Sequence, residues 1–481
     1  MAANYLHGVE TIEIDKGPRP VRLVKTAVIG LIGTAAAGPV NEPILVTREA
    51  DFAQWGENIP GSTILDALDA VYDQKGTVCI VINVLDPAVH KTPVASETVD
   101  VGVDGSFKLA HAAAAGLVLK NTAGTTTYVL DVDYTFDART GMGQRLAAGA
   151  IPASTAVLTT QLKASYDYAD PTQVTPADII GSINAAGERL GLKAFRDCYN
   201  LFGYFPKILI SPVFASLNSV STELIVQAHA LRAIAFIDAP IGITPQQAIT
   251  GRGPLGTINF NTSSERVGLC YPYLKKYDEV NNAEVLRPLS AYAAGALSRK
   301  DQENGYWWSL SNTEILGITG VERRIDAMIN DPNCEANLLN EAGITTVFNS
   351  FGTGIRTWGN RSAAWPSVTH PKNFVNVRRV ADVIAESLEY FTLQFIDRPL
   401  DNAVIDDLVE SGNRFMRKLT GDGAVIGGKV WFDPARNDST ELSAGHLVLS
   451  YDFMPPPPLE RVSYEATINI DYLKQLGQKA A

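Results

Sequence analysis

Apolar residues recur with two different periods along this chain. In "VKTAVIGLIG" and "TVCIVINV" they run almost without interruption, as strands buried on both faces require, and "PILVT" is a third such run. Between them Ile64, Leu65, Leu68, Val71 and Tyr72 fall on one face of a helix. The same alternation returns from residue 176. "PADIIGSINAAGERLG" begins a helix with Pro176 at an early position, "KILISP" is a strand, "SVSTELIVQAHALRA" a helix and "AIAFIDAP" a strand. Strand and helix in turn predict an open, mostly parallel sheet covered by helices. Residues 91–175 interrupt it. There helical periodicity nearly vanishes, and short runs such as "TVDVGV", "GLVLKN" and "TTYVLDVDYTF" predict a small β-sandwich or barrel inserted into the α/β body.

Beyond residue 370 the pattern predicts two helices, "FVNVRRVADVIAESLEYFTLQFI" and "DNAVIDDLVESGNRFMRKLT", then two strands around Val430–Phe432 and Leu447–Phe453. A two-stranded sheet is marginal alone, and its open edges invite pairing. Pro455–Pro458 follow, a stiff polyproline spacer. After it Val462, Tyr464, Ala466, Ile468, Ile470 and Tyr472 alternate with Ser463, Glu465, Thr467, Asn469 and Asp471, the period of a half-buried strand. A similar short piece opens the chain, with Ile12 and Ile14 between Glu10, Glu13 and Asp15 before "GPRP". The expected division is an N-terminal arm (1–20), an α/β core in two parts (21–90 and 176–369), an inserted β domain (91–175), an α+β C-terminal domain (370–454) and a C-terminal arm (455–481). The arms either fold onto their own subunit or add strands to the sheet of another copy, whose acceptor residues are Val430, Phe432, Leu447, Leu449 and Tyr451. A donor arm and an acceptor edge at different places make a heterologous contact, which builds rings or filaments.

Composition narrows the partners. With 46% hydrophobic and 19% charged residues the 481-residue chain suits a soluble protein of several domains, and a net charge of -12 argues against general binding to nucleic acid or anionic membranes. Cys79, Cys198, Cys270 and Cys334 stand far apart, the pattern of buried free thiols rather than of a metal site or disulfide framework. The start lacks the basic and apolar regions of a signal peptide, and no run approaches the ~20 apolar residues of a membrane helix. Chemistry-bearing motifs are scarce. "GRGPLG" matches G-x-G-x-x-G but carries Pro254 and is followed by extended chain, so it reads as a turn-rich loop. Six single histidines, and the Asp406–Asp407 pair on a helix face, mark no catalytic centre, and no metal or cofactor is expected.

Four segments in order bear a family resemblance. "RPLSAYAAGALSRKDQENGYWWSLSNTEILGITGVERRI" is followed by "LNEAGITTVFNSFGTGIRTWGNRS" and "FVNVRRVADVIAESL", and "GLIGTAAAGPVNEPILVT" precedes them. Pro288, Ala294, Gly295, Asp301, Gly305, Trp307, Gly343, Ile344, Trp358, Gly359, Arg361, Val375, Val377, Arg378 and Arg379 carry the match. Together these segments resemble the contractile tail sheath proteins of bacteriophages and related injection systems. "NSFGTG" and the loop "SAAWPSVTHPKN" depart from the family pattern. The resemblance implies a multidomain α/β protein. Its parts are a helix-covered, mostly parallel central sheet (subtilisin-like in fold only), an inserted all-β domain and a small α+β C-terminal domain completed by strands from neighbouring subunits. It implies a structural protein of the virion, assembled in the host bacterial cytoplasm, that polymerises with itself as stacked six-fold rings around a tail tube. Further partners are baseplate and tail terminator proteins, without direct nucleic acid contact or membrane insertion. Contraction would drive the tube through the host envelope. The sheath of a phage-derived bacteriocin is the alternative within this class, and an α/β hydrolase or dehydrogenase the alternative outside it. Arg378, Arg379, Arg414, Arg417 and Lys418 are either solvated or carbonyl-bonded, or face acidic residues of a neighbour or the tube.

Overall fold

The computed structural model describes residues 21, 23–76, 78–253, 255–349 and 352–476. Strands β1 (Ile29–Gly33), β2 (Ile44–Val46) and β3 (Cys79–Asn83) come with helix α1 (Ile64–Asp73). Six strands follow in succession: β4 (Lys91–Val101), β5 (Ser106–Lys108), β6 (Ala114–Asn121), β7 (Tyr134–Asp137), β8 (Met142–Arg145) and β9 (Thr160–Ala169). The alternation then resumes with α2 (Pro176–Ile180), α3 (Cys198–Phe202), β10 (Ile208–Ile210), α4 (Asn218–Leu231), β11 (Ile234–Asp238), α5 (Pro245–Thr250) and β12 (Val267–Cys270). A side sheet of β13 (Leu274–Asp278), β14 (Ala283–Arg287) and β15 (Gly320–Val321) is interrupted by α6 (Leu289–Glu303). After α7 (Glu335–Glu341), β16 (Ile344–Asn349) and β17 (Ile355–Trp358), the C-terminal part contains α8 (Val375–Thr392), α9 (Asn402–Asp422), β18 (Gly427–Phe432), α10 (Ser439–Ser443) and β19 (Leu449–Met454).

The main sheet runs in the order β17-β16-β12-β11-β10-β1-β3-β2, parallel except at its two ends. Its middle strands show why the apolar runs lack alternation. Every residue of β1, β3 and β11 is buried, and successive side chains serve opposite cores. Ile80 and Ile82 join Leu224 and Ala228 of α4, whereas Cys79 and Val81 join Leu68 of α1 and Tyr292 of α6. The segment from β4 to β9 folds as two three-stranded sheets, β4-β9-β6 and β5-β8-β7, around Val99, Phe107, Leu119, Tyr134 and Leu162. All four cysteines are buried and free, and burial pushes the Cys79 and Cys198 thiols up to about 12.

One stretch behaves otherwise than its pattern predicts. The helix expected from Pro176 is only five residues long. Gly181 ends it at φ 72°, and a Cβ there would lie 1.8 Å from the Leu190 carbonyl oxygen, so the chain must turn where that backbone crosses. Asn184 to Arg189 then fold back as a tight loop with Ile183 bridged to Arg189. In the "GRGPLG" stretch the described residues 251–253 and 255–256 form turns and coil after α5, and Arg252 has a structural part. The Arg252 guanidinium donates to the carbonyls of Ala342, Phe260, Thr262, Ala363 and Trp365, and burial lowers its pKa to about 10. One side chain thus satisfies backbone groups from three separate segments.

At the carboxyl end of β11 the buried Asp238 accepts the Ser290 N–H at 2.8 Å, in the first turn of α6, and also the Ser290 hydroxyl. Burial raises the Asp238 pKa to about 7 from 3.8. A carboxyl whose folded pKa is raised contributes its stability in full below the unfolded value, and loses it as pH climbs through the folded one. Folding stability should therefore fall between about pH 4 and pH 7 by up to roughly 4 kcal/mol from this group, then level off. Urea unfolding at several pH values should show that slope in the native chain and a flatter one in Asp238→Asn.

Candidate functional site

Helix α8 has two unlike long sides, and the C-terminal part is organised by them. Val380, Val383 and Ile384 pack with Phe415, Met416 and Leu419 of α9 and with Val430, Leu449 and Phe453 of the β18–β19 pair. Arg378, Asp382, Glu386 and Glu389 make a charged stripe at successive helical turns, and it meets the α/β body. Asp382 takes both guanidinium nitrogens of Arg266 at 2.5 and 2.8 Å and Arg378 at 2.9 Å. Lys207 lies 2.6 Å from Glu386, both nearly buried, and desolvation lowers the lysine's pKa even with the carboxylate beside it. Arg378 also reaches Glu265 at 3.2 Å, and Arg232 grips Glu389 with two nitrogens at 2.8 and 2.5 Å.

Arg379 belongs to this joint. It is 4% exposed, pairs with the buried Asp301 carboxylate and donates to the Thr26 carbonyl at 3.1 Å. Arg378 is likewise committed to Glu265 and Asp382 of its own chain. Arg379 is thus neutralised by a buried carboxylate of the body, and Arg378 is paired with Asp382 on its own helix and with the partly exposed Glu265. On α9, Arg417 pairs with Glu410 at 2.6 Å and Lys418 with Asp422 at 2.9 Å on the surface, and Arg414 is exposed.

β18 and β19 pair antiparallel from Gly427↔Met454 to Phe432↔Leu449. Leu447, expected in the second strand, precedes it. Asn437 of the connecting loop instead holds the Val448 backbone, accepting from its N–H at 2.8 Å and donating to its carbonyl at 2.9 Å, and this delays the start of the ladder. On the α9 side, Gly412 lets the helix approach so closely that a Cβ would lie 2.9 Å from Val430. The neighbouring Asn413 accepts from the Val430 N–H at 2.9 Å and donates to its carbonyl at 2.8 Å.

The C-terminal arm leaves from a clamp. Pro455 is buried, and the Asn376 amide donates to the Trp307 carbonyl at 2.9 Å and toward that of Pro456 at 3.5 Å. Arg361 then takes both carboxylate oxygens of Glu460 at 3.0 and 2.5 Å, while the rings of Trp365 and Phe374 lie 4.1 and 3.9 Å from its guanidinium carbon. From Arg461 to Leu476 every residue is exposed, Tyr464 by 91% and Ile468 by 94%. Val462, Tyr464 and Ile468 belong to no ladder among the described residues. Ile470 and Tyr472, expected in the same strand, lie in a single 3-10 turn that begins with the Asn469 side chain accepting from Asp471 N–H. A lone strand has nothing to bond to, so local side-chain bonding decides the backbone there. Ile12 and Ile14 lie outside the described residues. Val21 packs against Phe391, Phe395 and Leu408, the same cluster against which Leu449 of β19 packs.

Sequence reasoning missed Asn413, Glu460 and the clamp. Arg361 stood inside the quoted motif, and the one usable signal for its partner was that Glu460 is the first charged residue after the prolines. Two outcomes follow. Arg379→Met should cost ~3–5 kcal/mol by leaving Asp301 buried and unpaired, whereas Arg417→Met should change stability by less than about 1 kcal/mol, both read by urea unfolding. Glu460→Gln should leave that unfolding curve in place yet raise trypsin cleavage at Arg461 by up to about fivefold, as loss of a half-exposed pair permits.

Sequence profiles place these features among known proteins. The phage tail sheath protein central domain matches residues 173–363, and the phage tail sheath C-terminal domain matches 367–469. Residues 87–177, which include β4–β9, match a separate family described only as a protein of unknown function. The tail sheath protein of Burkholderia phage BcepMu is 59% identical over 477 residues, covering 99% of each chain. That of Escherichia phage P2 is 26% identical over 98% of each. In fold, the chain is similar to the helical sheath of the anti-feeding prophage in its contracted state, with a TM-score of 0.59 and 14% identity over 97% of this chain and 100% of that one. The protein belongs to the phage tail sheath family, whose members are structural proteins and not enzymes.

Proposed function

We propose that this chain polymerises as the contractile sheath of a phage tail, in stacked six-fold rings around a tube, and that shortening of the lattice drives the tube through the host envelope. The observation that carries this reading is an unmatched pair among the described residues of one chain: a sheet of two strands, and an arm with strand periodicity that lies there against no sheet. Main-chain hydrogen bonds between an arm and the sheet of another copy would satisfy both. The donor and acceptor sites differ, so the contact is heterologous and propagates. Val462, Tyr464 and Ile468 are the donor residues, with Ile470 and Tyr472 unwinding from their turn to extend the strand. Val430, Phe432, Leu449 and Tyr451 belong to the acceptor sheet. Ile12 and Ile14 act as the second donor, since Val21 packs against the same cluster as Leu449 of β19.

The ion-paired joint at α8 supports rigid-body movement. It ties the helices beneath the acceptor sheet to the central sheet by buried charges, so a subunit turns as a unit while its arms keep it linked. Arg414 is the basic residue left on the outer side of α9, and we assign it to the tube-facing surface. The ends of the polymer meet baseplate and terminator proteins, and assembly takes place in the host bacterial cytoplasm. A virion is favoured over a bacteriocin particle by the 59% identity to the BcepMu sheath protein.

Purified full-length protein and a variant ending at Glu460 should be compared by sedimentation and negative-stain microscopy. Long striated tubes from the full chain and monomers from the truncation are the expected result. Tubes from both would mean that the lattice contacts lie elsewhere.

A further inference from the structure

We propose that the two edges of the C-terminal sheet are not equivalent, and that the strand of a second copy adds to β19 because Asn413 closes the edge of β18. The proposal rests on the arm-exchange reading above and names the surface it uses.

Alternation fixes which backbone groups face outward. The Lys429 N–H turns toward β19, where it also reaches Asp452 Oδ1 at 3.2 Å. The Val430 N–H and carbonyl, one residue on, turn the other way and are both held by the Asn413 carboxamide. This amide makes the two bonds that one residue of an adjoining strand would make, at the middle of β18. A strand arriving there would have to displace Asn413, which sits on a helix packed as close as Gly412 allows.

Tyr451 is opposite Val430 in the register, so its N–H and carbonyl point outward from β19, as do those of Leu449 and Phe453. Among the described residues no hydrogen bond reaches these three pairs of outward groups. Asn437, the matching amide on the connecting loop, holds Val448 just outside the strand and leaves the edge itself free. The Tyr451 ring, stacked on Phe453 at 5.9 Å, is 40% exposed where a third strand would cover it. The occupant is a strand with apolar residues every second position, which the arm supplies at Val462, Tyr464 and Ile468.

Lys429 and Asp452 are paired across the sheet and both exposed, so a cysteine at either reports its own edge at the same level. In tubes co-assembled from two variants with a single added cysteine each, Asp452→Cys or Lys429→Cys on one copy is combined in turn with Ser463→Cys, Glu465→Cys or Thr467→Cys on the other, and disulfide dimers are read on non-reducing gels. The native cysteines are buried and do not interfere. An adjoining strand lies ~5 Å away, within disulfide reach, and the next one over lies ~10 Å away. About tenfold more dimer from the best Asp452→Cys pair than from any Lys429→Cys pair is the expected result. The reverse preference would overturn the choice of edge while leaving arm exchange intact. Tubes with no dimer from either series would overturn both. In unmodified tubes, residue-resolved hydrogen exchange should slow at Leu449, Tyr451 and Phe453 relative to the monomer and stay unchanged at Gly428 and Phe432. Slowing at Gly428 and Phe432 alone would sink the proposal.

Discussion

The buried ion pairs along α8 hold this molecule in one arrangement. Arg266 with Asp382, Lys207 with Glu386, and Arg379 with Asp301 are each nearly sealed from water. Such pairs gain little over well-packed apolar residues, because desolvating the charges offsets most of their attraction. What they supply is position. Apolar surfaces tolerate a slide of a few ångströms, whereas a displaced buried pair leaves bare charge at a cost of ~3–5 kcal/mol. The helix that carries the terminal sheet is therefore seated in one register on the central sheet. The placing of β18, β19 and both chain exits follows from that seat.

Edges are the next constraint. An open strand edge is a hazard in a soluble protein, commonly managed with charge, proline or cover. This chain covers one edge with the carboxamide of Asn413 and stops the ladder at its far end with Asn437. Asparagine suits the task because its side chain offers the same donor and acceptor as a peptide group. The four prolines then keep the arm from folding straight back onto its own hairpin, since they extend the chain and donate no backbone hydrogen bonds.

Much of the architecture was legible in the apolar periods. Near-continuous runs marked β1, β3 and β11, and the loss of helical period marked the segment from β4 to β9. The stubby α2 was not legible, because it ends at Gly181 where the backbone of Leu190 crosses too closely for any side chain, an approach that helical periodicity does not record. Nor was the joint. Arg379 looks like a surface charge in sequence, since Asp301 lies on an element far away along the chain, and so does the Glu265 that Arg378 reaches besides Asp382 of its own helix. The terminal strand pattern did not fix the conformation: Val462 and Tyr464 lie in exposed chain, while Ile470 is turned by Asn469.

Compared by strength, the contacts form a gradient. The joint at α8 costs several kcal/mol to open at each buried pair, whereas the Arg361–Glu460 clamp is half exposed and contributes ~0–1 kcal/mol. Arm exchange, as proposed, would add a ladder of main-chain bonds stronger in sum than the clamp. A lattice of such subunits under strain would therefore yield first at the clamp and between residues 461 and 469, where no described contact holds the backbone to the body. Movement would concentrate in the tether, while each core and the sheet built on it keep their shape. A sheath that shortens without coming apart needs that ordering, and swapping the strengths of joint and clamp would let subunits deform while their links stayed fixed.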